Sequence, residues 1–209
     1  MSTDSILYKV KVLLKRYVPG LGINHNRVPK SIWEQQYSDT TWDYLEGEDE
    51  RGHYEIIAGF YSKYADGESV VDIGCGKGVL FKYLSEQTSL NKSRFTGIDI
   101  SENAAKAAAQ KFPGVDFRTV DYQFQSIEKK YGVVIFNETL YYFNNPMETL
   151  AKCCLENLVA GGKVIISMCD YDKNDEIWSM IEQEYKILDE SETSNNKGQL
   201  WKVKIITRK

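Results

Sequence analysis

The segment Val70-Val71-Asp72-Ile73-Gly74-Cys75-Gly76-Lys77-Gly78 constrains this chain more than any other. A short apolar run from Ser69 to Ile73 enters a glycine-rich turn, and a helical stretch follows from Val79 to Glu86. Glycine lets the backbone turn tightly and come close to a ligand, because no Cβ intrudes. The first amides of the next helix then face whatever lies in front of the turn. A glycine-rich turn alone is a weak signal; between a strand and a helix it gains weight. Asp99 closes a second strand, Phe95 to Ile98, 23 residues after Gly76. An acid there is placed to accept hydrogen bonds from both ribose hydroxyls. Together the two features point to a nucleoside-containing cofactor, against the plainer reading of a glycine turn and a helix-capping acid.

Charge narrows the choice of cofactor. The dinucleotide fingerprint is G-x-G-x-x-G, whereas this chain has G-x-G-x-G, with Val79 where the last dinucleotide glycine would stand. Asp72 lies two residues before the first glycine. A carboxylate so placed repels a pyrophosphate and attracts a cation. S-adenosylmethionine (SAM) carries an ammonium and a sulfonium, so the pattern favours it over a nicotinamide dinucleotide. A nicotinamide oxidoreductase is the weaker alternative.

The rest of the chain alternates strand and helix. From Glu50, His53, Ile56, Ile57, Phe60, Tyr61 and Tyr64 recur at helical steps until Asp66-Gly67. Ser101 opens an alanine-rich helix that ends before Pro113, and strands are predicted at Val115–Val120 and Val133–Phe136. Asn145-Pro146-Met147-Glu148 reads as a helix start, with Asn145 as cap, Pro146 at the first helical position and Glu148 reaching back to the cap amide. Leu150, Cys154, Leu155 and Leu158 are its predicted inward stripe, Gly161-Gly162 its end, and Lys163–Met168 the fifth strand. A helix at Ile177–Glu184 precedes two strands, Lys186–Thr193 and Leu200–Ile206, joined by a turn at Asn195–Gly198. Such alternation predicts a parallel sheet covered on both faces, with an antiparallel pair at the end.

Two N-terminal stretches fall outside this alternation, and residues 1–48 are expected to form an arm and lid on a domain spanning 49–209. Residues 5–18 read as a basic amphipathic helix, with Ile6, Val10, Leu13, Leu14 and Tyr17 on one face. Packing on its own domain or a partner subunit is the expected use, and contact with an anionic membrane surface the alternative. Residues 31–47, rich in aromatics such as Trp33, Trp42 and Tyr44, read as short helices and turns that either cover a site or pack on the core edge.

Composition closes off some functions. The 209 residues suit one domain with a modest attachment, and a net charge of −4 disfavours a large nucleic-acid footprint. No apolar run approaches the roughly 20 residues that cross a bilayer. Cys75, Cys153, Cys154 and Cys169 form no Cys-x-x-Cys pair, and the two histidines, His25 and His53, add little to a metal inventory. Reduced thiols of a cytoplasmic protein, and no metal, are the expectation. Asp170 and Asp172, after the fifth strand, are read as solvated loop charge.

As a set, these residues resemble the class I SAM-dependent methyltransferases. Asp72–Gly78 is similar to their motif I, Asp99 to their ribose-binding acid, and Asp121 to the residue after strand three whose side chain often bonds the adenine amino group. Val133–Phe136 with Asn137 and Glu138 resembles their fourth strand and its active-site exit, and Leu158–Lys163 the turn before their fifth strand. The resemblance covers about residues 50–209. It implies a Rossmann-like α/β domain with a seven-stranded, mostly parallel sheet, helices on both faces and a C-terminal antiparallel hairpin. It also implies a cofactor site drawn from Asp72, Gly74, Cys75, Gly76, Gly78, Asp99, Ile100, Asp121, Tyr122 and Asn137. Two positions depart from the family's habit: Gly132 stands where an acid is common before strand four, and Ala160 where proline precedes the double glycine. Glu138-Thr139-Leu140-Tyr141-Tyr142 resembles a Glu-x-Leu-Tyr-Tyr signature of the nodulation N-methyltransferase branch and of small methyltransferases in glycan pathways.

The resemblance implies methyl transfer to an oxygen or nitrogen of a small molecule such as a sugar or amino sugar. Alignment and water exclusion carry much of such a reaction, and an oxygen or protonated amine acceptor must also lose a proton. Glu138 is the first candidate to contact the acceptor, as base or as anchor for a cationic amine, against a purely structural carboxylate. His53 and Tyr141 are further catalytic candidates, with packing as the alternative for each. A non-catalytic SAM-binding scaffold is the competing function.

Overall fold

Strand β1, Val70–Ile73, is buried along its whole length, and the sheet grows outward from both its edges. The fold is seen in a computed structural model that describes residues 28–170 and 174–209. The other strands are β2 (Phe95–Asp99), β3 (Asp116–Thr119), β4 (Tyr131–Asn137), β5 (Leu158–Cys169), β6 (Tyr185–Ser194) and β7 (Leu200–Arg208). They form one seven-stranded sheet in the order β3-β2-β1-β4-β5-β7-β6. The first five are parallel, and β7 lies antiparallel between β5 and β6. The chain turns back on its own order between β1 and β4, which opens a crevice at the carboxyl ends of the strands.

Six α-helices stand among the described residues, α1 (Lys30–Tyr37), α2 (Arg51–Ala65), α3 (Val79–Gln87), α4 (Glu102–Lys111), α5 (Pro146–Glu156) and α6 (Asn174–Glu184), with four short 3-10 turns between elements. Alternate strand residues feed two cores, as a sheet buried on both faces requires. Val71, Ile73, Val134, Phe136 and Ile166 pack with Leu150 and Cys153 of α5 and Ile177 and Ile181 of α6. Val70, Val133, Ile135, Ile165 and Val203 pack with Ile57 and Tyr61 of α2 and Leu80 and Leu84 of α3. This is the Rossmann-like α/β architecture the resemblance implied, with the covered parallel sheet that the alternation predicted.

The caps follow the sequence. Ser101 Oγ accepts from Ala104 N at 3.2 Å, and Asn145 Oδ1 accepts from Glu148 N at 3.2 Å. Gly198, at φ 77°, closes the final hairpin, with its amide donating to Asn195 O at 3.0 Å.

Around α5 the structure corrects the sequence reading. The inward residues are Leu150, Cys153 and Cys154, while Leu155 is 68% exposed. Five residues after Leu150 a side chain stands about 140° around the helix, off the buried face. Leu158 is buried, but as the first residue of β5, and Gly161-Gly162 lie inside that strand rather than ending the helix. The helix ends at Glu156 because the next residue, fully buried Asn157, is committed elsewhere. Its Oδ1 accepts from Tyr122 Oη at 2.7 Å, and its Nδ2 donates to Ile127 O at 2.6 Å and Lys129 O at 3.3 Å. The departure at Gly132 has a steric reason: a Cβ there would stand 2.5 Å from Glu68 Oε2.

Among the described residues, no helix is long and apolar enough to cross a membrane. The amphipathic stretch at 5–18 and Asp172 lie outside the described residues. Asn157→Ala is expected to destabilise the fold by about 1–3 kcal/mol, because it leaves buried polar groups unsatisfied. Urea unfolding checks this, and a loss below a few tenths of that range would contradict it.

Candidate active site

A cavity opens at the carboxyl ends of β1, β2, β3 and β4. Asp72, Gly74, Cys75, Gly76, Asp99, Ile100, Asp121, Tyr122, Asn137 and Glu138 all line it. Three residues expected there do not. Gly78 carries φ 78°, and a Cβ on it would meet the rings of Phe117 and Phe112 at 3.0 and 3.1 Å. Its bareness makes room for those two rings. His53 and Tyr141 stand one layer behind the lining residues Asn137 and Glu138.

The turn after β1 is hooked onto β2. Gly74 N and Cys75 N both donate to Ile98 O, at 2.8 and 3.0 Å. Gly74 takes φ 82°, and a Cβ on it would stand 2.1 Å from Thr139 Cγ2. Thr139 Oγ1 in turn donates to Ile73 O at 2.7 Å, so the exit of β4 is tied to the turn. Asp99 Oδ2 accepts from Gly76 N at 2.9 Å and its Oδ1 from Ser101 N at 2.8 Å, which holds the carboxylate against the turn. Burial pushes the Asp99 carboxyl up to about 6, despite these amides and with Glu34 nearby adding to the rise.

Asp72 is more extreme. It is 1% exposed, lines the cavity, and its Oδ1 has no hydrogen-bond partner. Burial, then the nearby Asp99, pushes its carboxyl up to about 8. A buried unpaired carboxylate is costly unless a cation meets it. This bare oxygen, beside a turn that approaches the cavity without side chains, fits the ammonium end of SAM, and Asp99 fits its ribose.

Glu138 follows β4 with φ 57°, the one non-glycine residue with positive φ among those described. That conformation costs about 1–3 kcal/mol and persists where surrounding contacts enforce it. Here Glu138 N donates to Ser167 O at 3.0 Å, Tyr141 Oη donates to Oε2 at 2.9 Å and Ser167 Oγ to Oε1 at 3.3 Å. Tyr141 therefore acts on Glu138 rather than facing the cavity. His53 is buried, with Nδ1 3.0 Å from Asn137 Oδ1 and its ring stacked on Trp201 at 5.2 Å.

The N-terminal segment forms the opposite wall. Val28, Trp33, Tyr37, Trp42 and Leu45 line the cavity, and Trp33 meets Tyr142 edge to face at 5.0 Å. Tyr37 Oη lies 2.9 Å from where a Cβ on Gly76 would stand. Glu34 docks this segment on the domain: its carboxylate accepts from Glu102 N at 2.7 Å, Asn103 N at 3.1 Å and Ser101 Oγ at 2.9 Å. It occupies the N-terminus of α4, where the helix dipole favours an anion. Lys77 Nζ donates to Asp43 Oδ1 at 2.6 Å, a second tie between the turn and this segment.

Sequence reasoning missed Glu34, Glu50, Tyr54 and Thr139. Glu50 and Tyr54 line the cavity from the start of α2, and Glu50 is buried. The spacing Glu50–His53 places two polar residues on one helical face, and that was the available signal. Glu34 left none, because its partners lie 67–69 positions away.

Residues 65–207 match the sequence profile of the methyltransferase domain family. The chain belongs to that family. The ubiquinone biosynthesis O-methyltransferase of Nitrosomonas europaea is 29% identical over 137 residues, which cover 63% of this chain and 54% of the relative. A malonyl-[acyl-carrier protein] O-methyltransferase of Acetivibrio thermocellus is 31% identical over 100 residues, 47% of this chain and 34% of that protein. The chain thus spans about half or less of these relatives' length. Among solved structures, the N-methyltransferase NodS of Bradyrhizobium japonicum with S-adenosylhomocysteine aligns at TM-score 0.66 and 16% identity, covering 86% of this chain and 97% of NodS. The 1,6-didemethyltoxoflavin-N1-methyltransferase of Burkholderia thailandensis aligns at TM-score 0.67 and 18% identity, covering 86% of each chain. Residues 65–207 thus form a methyltransferase domain.

The Asp72 carboxyl gives a test with a defined sign. Its folded value is raised above that of the unfolded chain, so its contribution to stability is full at low pH and is lost as pH rises toward about 8. Asp72→Asn is therefore expected to raise the melting temperature of the ligand-free protein, by an increment that grows between roughly pH 4 and pH 8 and then levels off. Thermal unfolding across pH checks this, and an increment flat with pH would contradict it.

Proposed function

We propose that this methyltransferase acts on an oxygen or nitrogen of a small molecule, with Asp72, Asp99 and the Gly74–Gly76 turn holding SAM. The observation that carries the reading is the bare, buried oxygen of Asp72 on the cavity wall. Bound SAM supplies a methyl carbon on a good leaving group. Asp72 pairs with the ammonium and Asp99 with the ribose hydroxyls, using lone pairs left by its two amide donors. Asp121 and Tyr122, at the exit of β3, receive the adenine. Cys75, Ile100 and Asn137 complete the wall around it.

The acceptor binds between Glu138 and the aromatic wall of Trp33, Tyr37 and Trp42. Glu138 faces it as an anchor or base. Residues 28–48 cover the site, and exclusion of water there strengthens every charge interaction within. A concave, aromatic-walled space of this kind suits a small acceptor. The printed names of two compared proteins, a ubiquinone-pathway O-methyltransferase and a toxoflavin-precursor N1-methyltransferase, support small acceptors of both kinds.

Asp99→Ala is expected to weaken S-adenosylhomocysteine about 10- to 100-fold, the equivalent of the roughly 1.5–3 kcal/mol carried by hydrogen bonds to a charged group. Titration calorimetry reads the change, and unchanged affinity would overturn the placement. Transfer of label from methyl-labelled SAM to a small molecule separates an enzyme from a SAM-binding scaffold.

A further inference from the structure

The cavity holds more carboxylates than one SAM molecule needs. Asp72 and Asp99 are assigned to its ammonium and ribose, yet Glu50 and Glu138 line the same space. Burial first, and then the charges of Glu50, Asp72 and Glu138, push the phenol of Tyr54 up, so all three carboxyls lie within its electrostatic reach. Lys77 is the sole basic residue among the described lining residues, and its Nζ is engaged by Asp43. Carboxylates collected where water is scarce repel one another until a cation joins them.

His53 supplies an independent observation. Its Nδ1 lies 3.0 Å from Asn137 Oδ1 and its Nε2 lies 3.5 Å from Glu50 Oε2, so the ring bridges a lining amide and a lining carboxylate. Nε2 is buried. The ring cannot swing away, because Tyr54 and Trp201 hold it at centroid distances of 4.1 and 5.2 Å. A proton delivered to Glu50 can be shared with His53 through a charge-assisted hydrogen bond.

We infer that the acceptor is an amine that enters as its ammonium, is anchored by Glu138 and gives its proton to Glu50, with His53 as the positioning residue that shares that proton. The inference rests on the small-molecule reading above and narrows it to nitrogen. The N–H bond of the ammonium breaks and the proton passes to the Glu50 carboxylate. The freed nitrogen lone pair forms the bond to the methyl carbon as the methyl–sulfur bond breaks, its electron pair remaining on sulfur. The methylated ammonium leaves, and the proton held by Glu50 and His53 passes to water.

The test incubates a small-molecule extract of the producing cells with the full chain and SAM carrying a deuterated methyl. Labelled products are found by mass spectrometry and sorted by retention on a cation exchanger. Label on the nitrogen of retained, cationic products is expected. Label confined to methyl ethers or esters overturns the amine inference and leaves the small-molecule methyltransferase reading standing. No labelled product at all overturns both. On the acceptor so found, Glu50→Gln is expected to lower kcat by about 100-fold, the scale of a lost general base, with S-adenosylhomocysteine affinity unchanged. His53→Gln is expected to lower kcat and leave the acceptor KM unchanged. Wild-type kcat in Glu50→Gln would overturn the assignment. Nitrogen-15 spectra of the His53 ring should place its proton on Nδ1, and a proton on Nε2 alone would overturn the proton-sharing role.

Discussion

A carboxyl group buried with one oxygen unpartnered is the constraint on which the rest of this structure depends. Asp72 sits mid-sheet in β1, paired in register with Gly97 of β2 and Ile135 of β4, and is buried where it lines the cavity. Such a group opposes folding in proportion to its charge, and strongly perturbed carboxyls cluster at functional sites. Everything near it reads as provision for a cation. The turn from Gly74 to Gly76 removes side chains from the approach, Asp99 is clamped by two amides at the edge, and the exit of β4 is drawn in through Thr139.

The N-terminal segment is organised by the same site. Its helix α1 is short, with no buried residue of its own, and its propensity alone would not hold it. Glu34 on the start of α4 and Lys77 to Asp43 fix it in place. Exposed ion pairs are weak, whereas a carboxylate accepting two amides and a hydroxyl at a helix N-terminus is a stronger anchor. One tie reaches the helix after β2 and the other the glycine turn, so the wall of aromatics and the cofactor cradle are mechanically joined.

Much of this was legible in the sequence, and the limits have physical causes. Motif I, Asp99, the parallel sheet implied by alternation and the final hairpin all rest on local patterns, and local patterns survive without coordinates. The inward stripe of α5 was misassigned because Leu155 and Leu158 were weighted for being apolar, while buried Cys153 was not. Helix geometry would have chosen Leu150, Cys153 and Cys154. Gly78 was counted with the ligand-facing glycines, and only the positions of Phe112 and Phe117 reveal that its neighbours are core rings. Glu34, Glu50 and Thr139 act through contacts distant in sequence or through a turn of helix whose face was unassigned. Placing those requires the fold.

The central claim is that Asp72 holds a proton in the free protein and gives it up when a cation arrives. Titration calorimetry of S-adenosylmethionine at pH 7, repeated in buffers of different ionisation enthalpy, measures this directly. Burial holds the Asp72 carboxyl at about 8 in the free protein, so binding should release close to one proton per chain, and Asp72→Asn should abolish that release. Binding with no proton released, or with the same release in Asp72→Asn, would contradict the account.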